Sequence, residues 1–240
     1  MPTQSTPPTT INAGEPASSP CRQWGVWFRS IGWAVLVMAT AECLRVFTGS
    51  NCYVVVADKC CRSAQPTEQF LVNAQRAYGI RSVFNLRDEN EDQAWYRRER
   101  DTCARLDITL VNAGLASKEQ PPAHDFKRLI LSMRDCPEPV LIHCANGNDR
   151  TSLASAFYLL LRTPASLPEA RQQLSLRYGH MYWTKAGCLG RILDSYEEWL
   201  QELAKEHRPD RLVYWAEHVY QPEYVTAVLP RRKPVRDNSP

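Results

Sequence analysis

Residues 140–161 narrow the choice of fold more than any other part of the chain. Val140-Leu141-Ile142 is an apolar run of the length of a buried strand, and it leads directly into His143-Cys144. After five intervening residues come Arg150 and Thr151, and from Leu153 to Leu161 the apolar spacing is helical. A strand, a tight loop and a helix N-terminus are therefore packed around one cysteine. Backbone N–H groups of such a loop, together with the helix dipole, favour a bound anion. The same field favours the thiolate of Cys144 near neutral pH. Arg150 adds a planar fork suited to two phosphate oxygens. The chemistry implied is attack of a thiolate on a phosphate ester.

The run His143-Cys144-Ala145-Asn146-Gly147-Asn148-Asp149-Arg150-Thr151 resembles the HCxxxxxR[ST] signature of the protein tyrosine phosphatase superfamily. Arg62-Ser63-Ala64-Gln65-Pro66, Gly79-Ile80, Val83-Phe84-Asn85-Leu86-Arg87 and Leu174 to His180 are similar to segments of compact bacterial and fungal dual-specificity-like phosphatases, so the likeness spans Cys52 to Leu203. It implies an α/β fold, a central mostly parallel sheet flanked by helices, and phosphate-monoester hydrolysis without cofactor or metal. Cys144 would be the nucleophile of a cysteinyl-phosphate intermediate. Arg150 would hold the equatorial oxygens, and Ala145, Asn146, Gly147 and Asn148 would line the phosphate. The resemblance also implies that the Thr151 hydroxyl bonds the Cys144 sulfur, and that His143 orders the loop.

The general acid is the open position. The stretch Asn112–Pro122, where many relatives carry an Asp, holds only Glu119, and Asp125 lies beyond the prolines. Asp149, immediately before Arg150, matches the Asp-Arg-Thr ending of myotubularin-like and Sac-like phosphatases. Asp149 is therefore the first candidate, Glu119 the second and Asp125 the third. For Asp149 the competing reading is a carboxylate that orders the loop or pairs with Arg150. The loop has no lysine, which weakens a polyphosphoinositide substrate and leaves phosphotyrosine, phosphoprotein or lipid phosphate. A phosphate-binding module without turnover and a rhodanese-type sulfurtransferase are the alternatives.

With 44% hydrophobic and 23% charged residues among 240, the chain suits one globular domain with extended ends. Its net charge of +3, with no basic run interleaved with aromatics, gives no case for nucleic acid. Nine cysteines without a CxxC pair argue against a zinc cage and for a reducing compartment.

Residues 1–20, rich in Pro, Thr, Ser and Ala, read as disordered. Residues 24–47 are expected to be a membrane-anchor or docking helix: the core from Ser30 to Ala41 is uncharged, although Arg29, Glu42 and Arg45 flank it. An anchor would place the protein at the bacterial inner membrane, and a docking helix would leave it in the cytoplasm. A phosphatase domain is expected over 52–204, followed by a basic, aromatic tail over 208–240. Strands are predicted at Cys52–Ala57, Ile80–Leu86, Ile108–Asn112 and Val140–His143. Helices are predicted at Thr67–Tyr78, Asp92–Leu106, Pro122–Arg134, Arg150–Leu161, Ser166–Arg177 and Gly190–Ala204. Arg62 to Pro66 reads as a turn, Arg87 as a substrate contact or a salt bridge, and His180 as a packed or capping histidine.

Overall fold

Strand β5 (Val140–His143) is completely buried, and its place in the sheet explains why. In the computed structural model, which describes residues 27–38, 40–41 and 49–222, the strands are β1 (Tyr53–Val56), β2 (Cys60–Ser63), β3 (Ser82–Asn85), β4 (Thr109–Asn112) and β5. They lie in the order β1-β2-β5-β3-β4. The β1–β2 pair is antiparallel and the other pairings are parallel. A central parallel strand covered on both faces has to be apolar along its length, as Val140-Leu141-Ile142 is. Ser63 and Asn85 both pair with His143, so β2, β5 and β3 end level, and the loops that follow them share one edge.

The helices are α2 (Glu68–Tyr78), α3 (Ala94–Arg105), α4 (Ala123–Asp135), α5 (Asp149–Arg162), α6 (Leu167–Arg171), α7 (Gly190–Glu202) and α8 (Pro209–His218). Thr67 caps α2 by accepting from the Phe70 N–H at 3.1 Å. Helix α5 buries Thr151 through Tyr158, together with Leu160 and Leu161, which explains its weak amphipathicity in sequence.

Two expectations are corrected. Cys60–Ser63 is strand β2, where the sequence suggested part of a turn; its Cys-Cys-Arg-Ser run lacks the alternation that marks a strand. The helix expected over Ser166–Arg177 starts at the predicted Ser166/Glu169 capping box but stops at Arg171, and a 3₁₀ turn follows at Leu176–Tyr178. The Gln173 carbonyl accepts from Arg62 Nη1 (3.4 Å) and the Gln173 side chain from the same atom (3.0 Å), so this residue serves the sheet edge and not a longer helix.

Residues 209–220, read in the sequence as the start of the tail, belong to the core. Leu212, Trp215 and Tyr220 are buried. Phe126 of α4 meets Phe157 (ring centroids 5.1 Å apart), Trp215 (5.8 Å) and Tyr220 (4.5 Å). The Tyr220 hydroxyl donates to the Pro121 carbonyl at 2.9 Å. Burying aromatics of this size is worth about 3–5 kcal/mol each against truncation to alanine. Tyr224 and the basic Arg231-Arg232-Lys233 lie outside the described residues.

The chain separates into two units, Met1–Cys43 and Leu44–Pro240. In the first, residues 27–38 and 40–41 form helix α1, which exposes Trp27, Phe28 and Trp33. Among the described residues no helix is long and apolar enough to cross a membrane. The segment expected to be disordered (residues 1–20) and the rest of the expected anchor (residues 24–26, 39 and 42–47) lie outside the described residues.

Candidate active site

The loop from His143 to Asn148 is shaped from outside by donors that take its carbonyls. The Gln65 N–H donates to Ala145 O at 3.1 Å, Asn51 Nδ2 to Asn146 O at 3.1 Å, and Arg62 Nη2 to Gly147 O at 2.7 Å. Among the described residues no acceptor takes the N–H groups of Ala145, Asn146, Gly147 or Asn148. Three consecutive carbonyls turned outward leave a row of free N–H groups, which is the arrangement of an anion nest. Gly147 sits at φ +71, and a Cβ there would lie 2.8 Å from Ser63 C and O and from Ala64 N. Only glycine fits against that strand. Asn51, at φ +44, tolerates the left-handed region and spans the loop to Tyr178 O (3.2 Å).

Arg62 is the largest fully buried side chain. Besides Gly147 O and Gln173 it donates to Ser152 Oγ at 2.8 Å, and its Cζ stands 4.1 Å from the centre of the Tyr178 ring. Burial pulls its pKa down to about 10, opposed by the negative ends of Tyr178 and Cys144. It carries no carboxylate partner among the described residues. A buried cation of this kind stabilises negative charge on the neighbouring loop. In the sequence Arg62 reads as part of a turn, because nothing in its local pattern shows that it lies inside the sheet.

Cys144 is buried, with 4% of its surface exposed, at the mouth of β5. All seven described cysteines are free. Burial pushes the thiols of Cys61 and Cys103 up to about 12 and that of Cys136 to about 11, which keeps them protonated and unreactive. Arg150 Nη1 donates to the carbonyls of Leu86 (3.0 Å) and Leu115 (3.3 Å), so loops from two other strands hold its fork. Thr151 is fully buried and its hydroxyl has no partner; the expected bond to the Cys144 sulfur is not formed.

His143 Nε2 lies 2.6 Å from Glu99 Oε1, an ion-pair distance, with both side chains wholly buried. Its Nδ1 faces the Cys144 carbonyl at 3.4 Å. Gln65 Nε2 donates to Glu99 Oε2 at 3.1 Å, Arg87 Nη1 donates to Gln65 Oε1 at 2.8 Å, and Arg87 Cζ rests 3.5 Å over the Trp95 ring. The Arg87 pKa is lowered by burial and then by the Arg150 charge. Glu99 and Gln65 were not singled out in the sequence. Glu99 is an acid on the buried face of a charged helix, beside Tyr96, Thr102 and Cys103, and only tertiary structure reveals it.

The three candidate acids have separate fates. Asp149 opens α5, and its Oδ1 lies 2.8 Å from His180 Nδ1. Glu119 is exposed in the β4–α4 loop. Asp125 pairs with Arg128 at 3.1 Å on the surface of α4. Among the described residues no cluster of His, Cys, Asp or Glu could hold a metal ion.

A five-stranded, mostly parallel sheet that presents a cysteine–arginine loop ahead of its central helix is the fold of the dual-specificity-type cysteine phosphatases. The sequence pattern of the family described as "DSP-PTPase phosphatase fused to NAD+ Kinase" matches residues 52–181, and the chain belongs to that family. Among solved structures, TpbA of P. aeruginosa is similar over 60% of this chain and 87% of its own (20% identity, TM-score 0.45). The catalytic domain of the S. cerevisiae PP-IP phosphatase SIW14 is similar over 64% and 93% (17% identity, TM-score 0.46). No curated protein matches the chain in sequence.

Proposed function

We propose that this protein hydrolyses phosphate monoesters through a cysteinyl-phosphate intermediate. The observation that carries the reading is the loop itself: outward-held carbonyls and unclaimed N–H groups surround a buried cysteine, with Arg150 and Arg62 supplying positive charge. The Cys144 thiolate attacks phosphorus, and the bond from phosphorus to the ester oxygen breaks. Loop N–H groups and Arg150 stabilise the equatorial oxygens as charge builds up. Protonated Asp149 gives its proton to the departing oxygen. In the second step the Asp149 carboxylate takes a proton from water, which attacks phosphorus and releases Cys144 as thiolate. The unpaired Thr151 hydroxyl is available to the sulfur at that stage. The net change is ester plus water to alcohol plus phosphate.

The substrate class we favour is phosphotyrosine, phosphoprotein or a lipid phosphate. The test is phosphate release by the full chain from phosphotyrosine and phosphoserine peptides, phosphatidylglycerophosphate vesicles, phosphoinositides and inositol polyphosphates, with Cys144→Ser as control. Turnover that Cys144→Ser abolishes supports the reading. Vesicle-borne substrates ranking first would favour a membrane role for residues 24–47. Phosphate binding without turnover on any of these compounds would replace the reading with a binding module.

A further inference from the structure

The imidazole of His180 is wholly buried, and its one polar contact is Nδ1 to Asp149 Oδ1 at 2.8 Å. Its other nitrogen, Nε2, has no partner. The chain aims the ring there deliberately: the 3₁₀ turn Leu176–Tyr178 ends at Gly179, and the His180 N–H returns to Ser175 O at 3.1 Å. The Tyr182 ring then meets the imidazole edge to face at 4.8 Å. Gly190 leaves the space for both, since a Cβ there would lie 2.6 Å from Tyr182 and 3.3 Å from Nε2.

With Nε2 orphaned, Nδ1 is the ring's one hydrogen-bonding nitrogen, and the tautomer that carries its hydrogen on Nδ1 donates to Asp149 and buries only a lone pair at Nε2. Asp149 itself is partly open, its side chain 25% exposed. One carboxyl oxygen is thus held by the buried ring, while among the described residues no hydrogen bond holds the other.

We infer that His180 is a positioning residue for Asp149: its Nδ1–H holds Oδ1, and Oδ2 is the atom that gives and takes the proton. The His180 proton stays in place through both steps, so only Oδ2 changes its protonation. This rests on the reading of Asp149 as the acid. A buried histidine that merely packed would have no reason to spend its only donor on a residue of the phosphate loop.

The experiment compares kcat/KM, which reports only the steps up to cysteinyl-phosphate formation, on two esters. One is an aryl phosphate whose acidic phenol leaves without help, and the other is an alkyl phosphate whose leaving oxygen needs a proton. Asp149→Asn should lower the alkyl value by about 100-fold or more, the usual worth of a general acid. His180→Leu should lower it by about tenfold or more, as a misplaced acid does, and the aryl value by less than about twofold. Combined with Asp149→Asn it should add nothing further. His180→Asn, whose amide can reach the Nδ1 position, should restore most of the loss, and His180→Gln should not; this pair decides the matter if the Leu variant is unstable. Equal losses on both esters, or additivity in the double variant, would overturn the inference. An Asp149→Asn enzyme with full alkyl turnover would instead refute the acid assignment itself.

Discussion

Replacing Arg62 tests whether the phosphate loop depends on a cation beneath it. Three short bonds would go, to Gly147 O (2.7 Å), Ser152 Oγ (2.8 Å) and Gln173 Oε1 (3.0 Å). Each buried acceptor left without a donor costs about 1–3 kcal/mol. Against that, Arg62→Met removes the cost of burying the charge, which the fall of the arginine pKa to about 10 reflects. The balance is a loss of about 3 kcal/mol out of the roughly 5–15 kcal/mol that holds a domain together. For a domain of this size it corresponds to a melting temperature roughly 10 °C lower, so the variant is still folded at 20 °C. Function should suffer more than stability. Arg62 interacts electrostatically with Cys144, and its loss also frees the Gly147 carbonyl to turn inward. The assay is the rate of Cys144 alkylation by iodoacetamide, followed by peptide mapping so that the other cysteines do not interfere, together with phosphate release. Arg62→Met should be slower than Arg62→Lys, which keeps the charge, and both slower than the parent. A folded Arg62→Met protein that alkylates and turns over within about twofold of the parent would refute the argument.

Gly147→Ala forces a Cβ to within 2.8 Å of strand backbone that cannot retreat, and adds about 1–2 kcal/mol of left-handed strain. Turnover should fall by about 100-fold, the usual effect of a displacement near 1 Å, with a lower melting temperature; unchanged kcat/KM would contradict the fit described for the loop. His207 donates from Nε2 to Leu160 O (3.0 Å) and accepts at Nδ1 from the Tyr196 hydroxyl (2.9 Å), and burial lowers its pKa. The unfolded chain therefore binds this proton first, and stability is lost as pH falls below about 6.5, levelling off once the folded-state pKa is passed. Urea midpoints between pH 7.5 and 5.0 should show that slope, and His207→Gln should flatten it.

The parts of the molecule that could be read in the sequence are those whose signal is local. The run Val140-Leu141-Ile142 is apolar because it is central, and the cysteine, glycine and arginine of the loop keep a fixed spacing because one phosphate must fit between them. The Ser166/Glu169 capping box announced a helix start correctly but could not announce its end, since that is set by Arg62 reaching Gln173 from another element. Arg62 and Glu99 escaped for one shared reason: each is polar, each looks like a surface residue in its own segment, and each is buried against the loop only by the tertiary fold. His180 reads as a packed or capping histidine and is indeed buried, but its partner Asp149 could not be read from its own segment. Helix α8 was not predicted within the tail, because aromatic residues next to basic ones look the same in a tail and in an amphipathic helix.

Ser50 and Asn51 lie just upstream of where the family's sequence pattern begins, yet both are tied into the structure: Ser50 O accepts from the Ala64 N–H at 2.7 Å, and Asn51 holds Asn146. At the other end, Trp215 and Tyr220 close the core well past residue 181. The family pattern and the packed core thus have different borders. A fragment trimmed to 52–181 would keep every residue of the loop and lose the tie that shapes it on one side and the aromatic seal on the other. Whoever dissects or fuses this domain should keep Ser50 and Asn51 at one end and Trp215 and Tyr220 at the other.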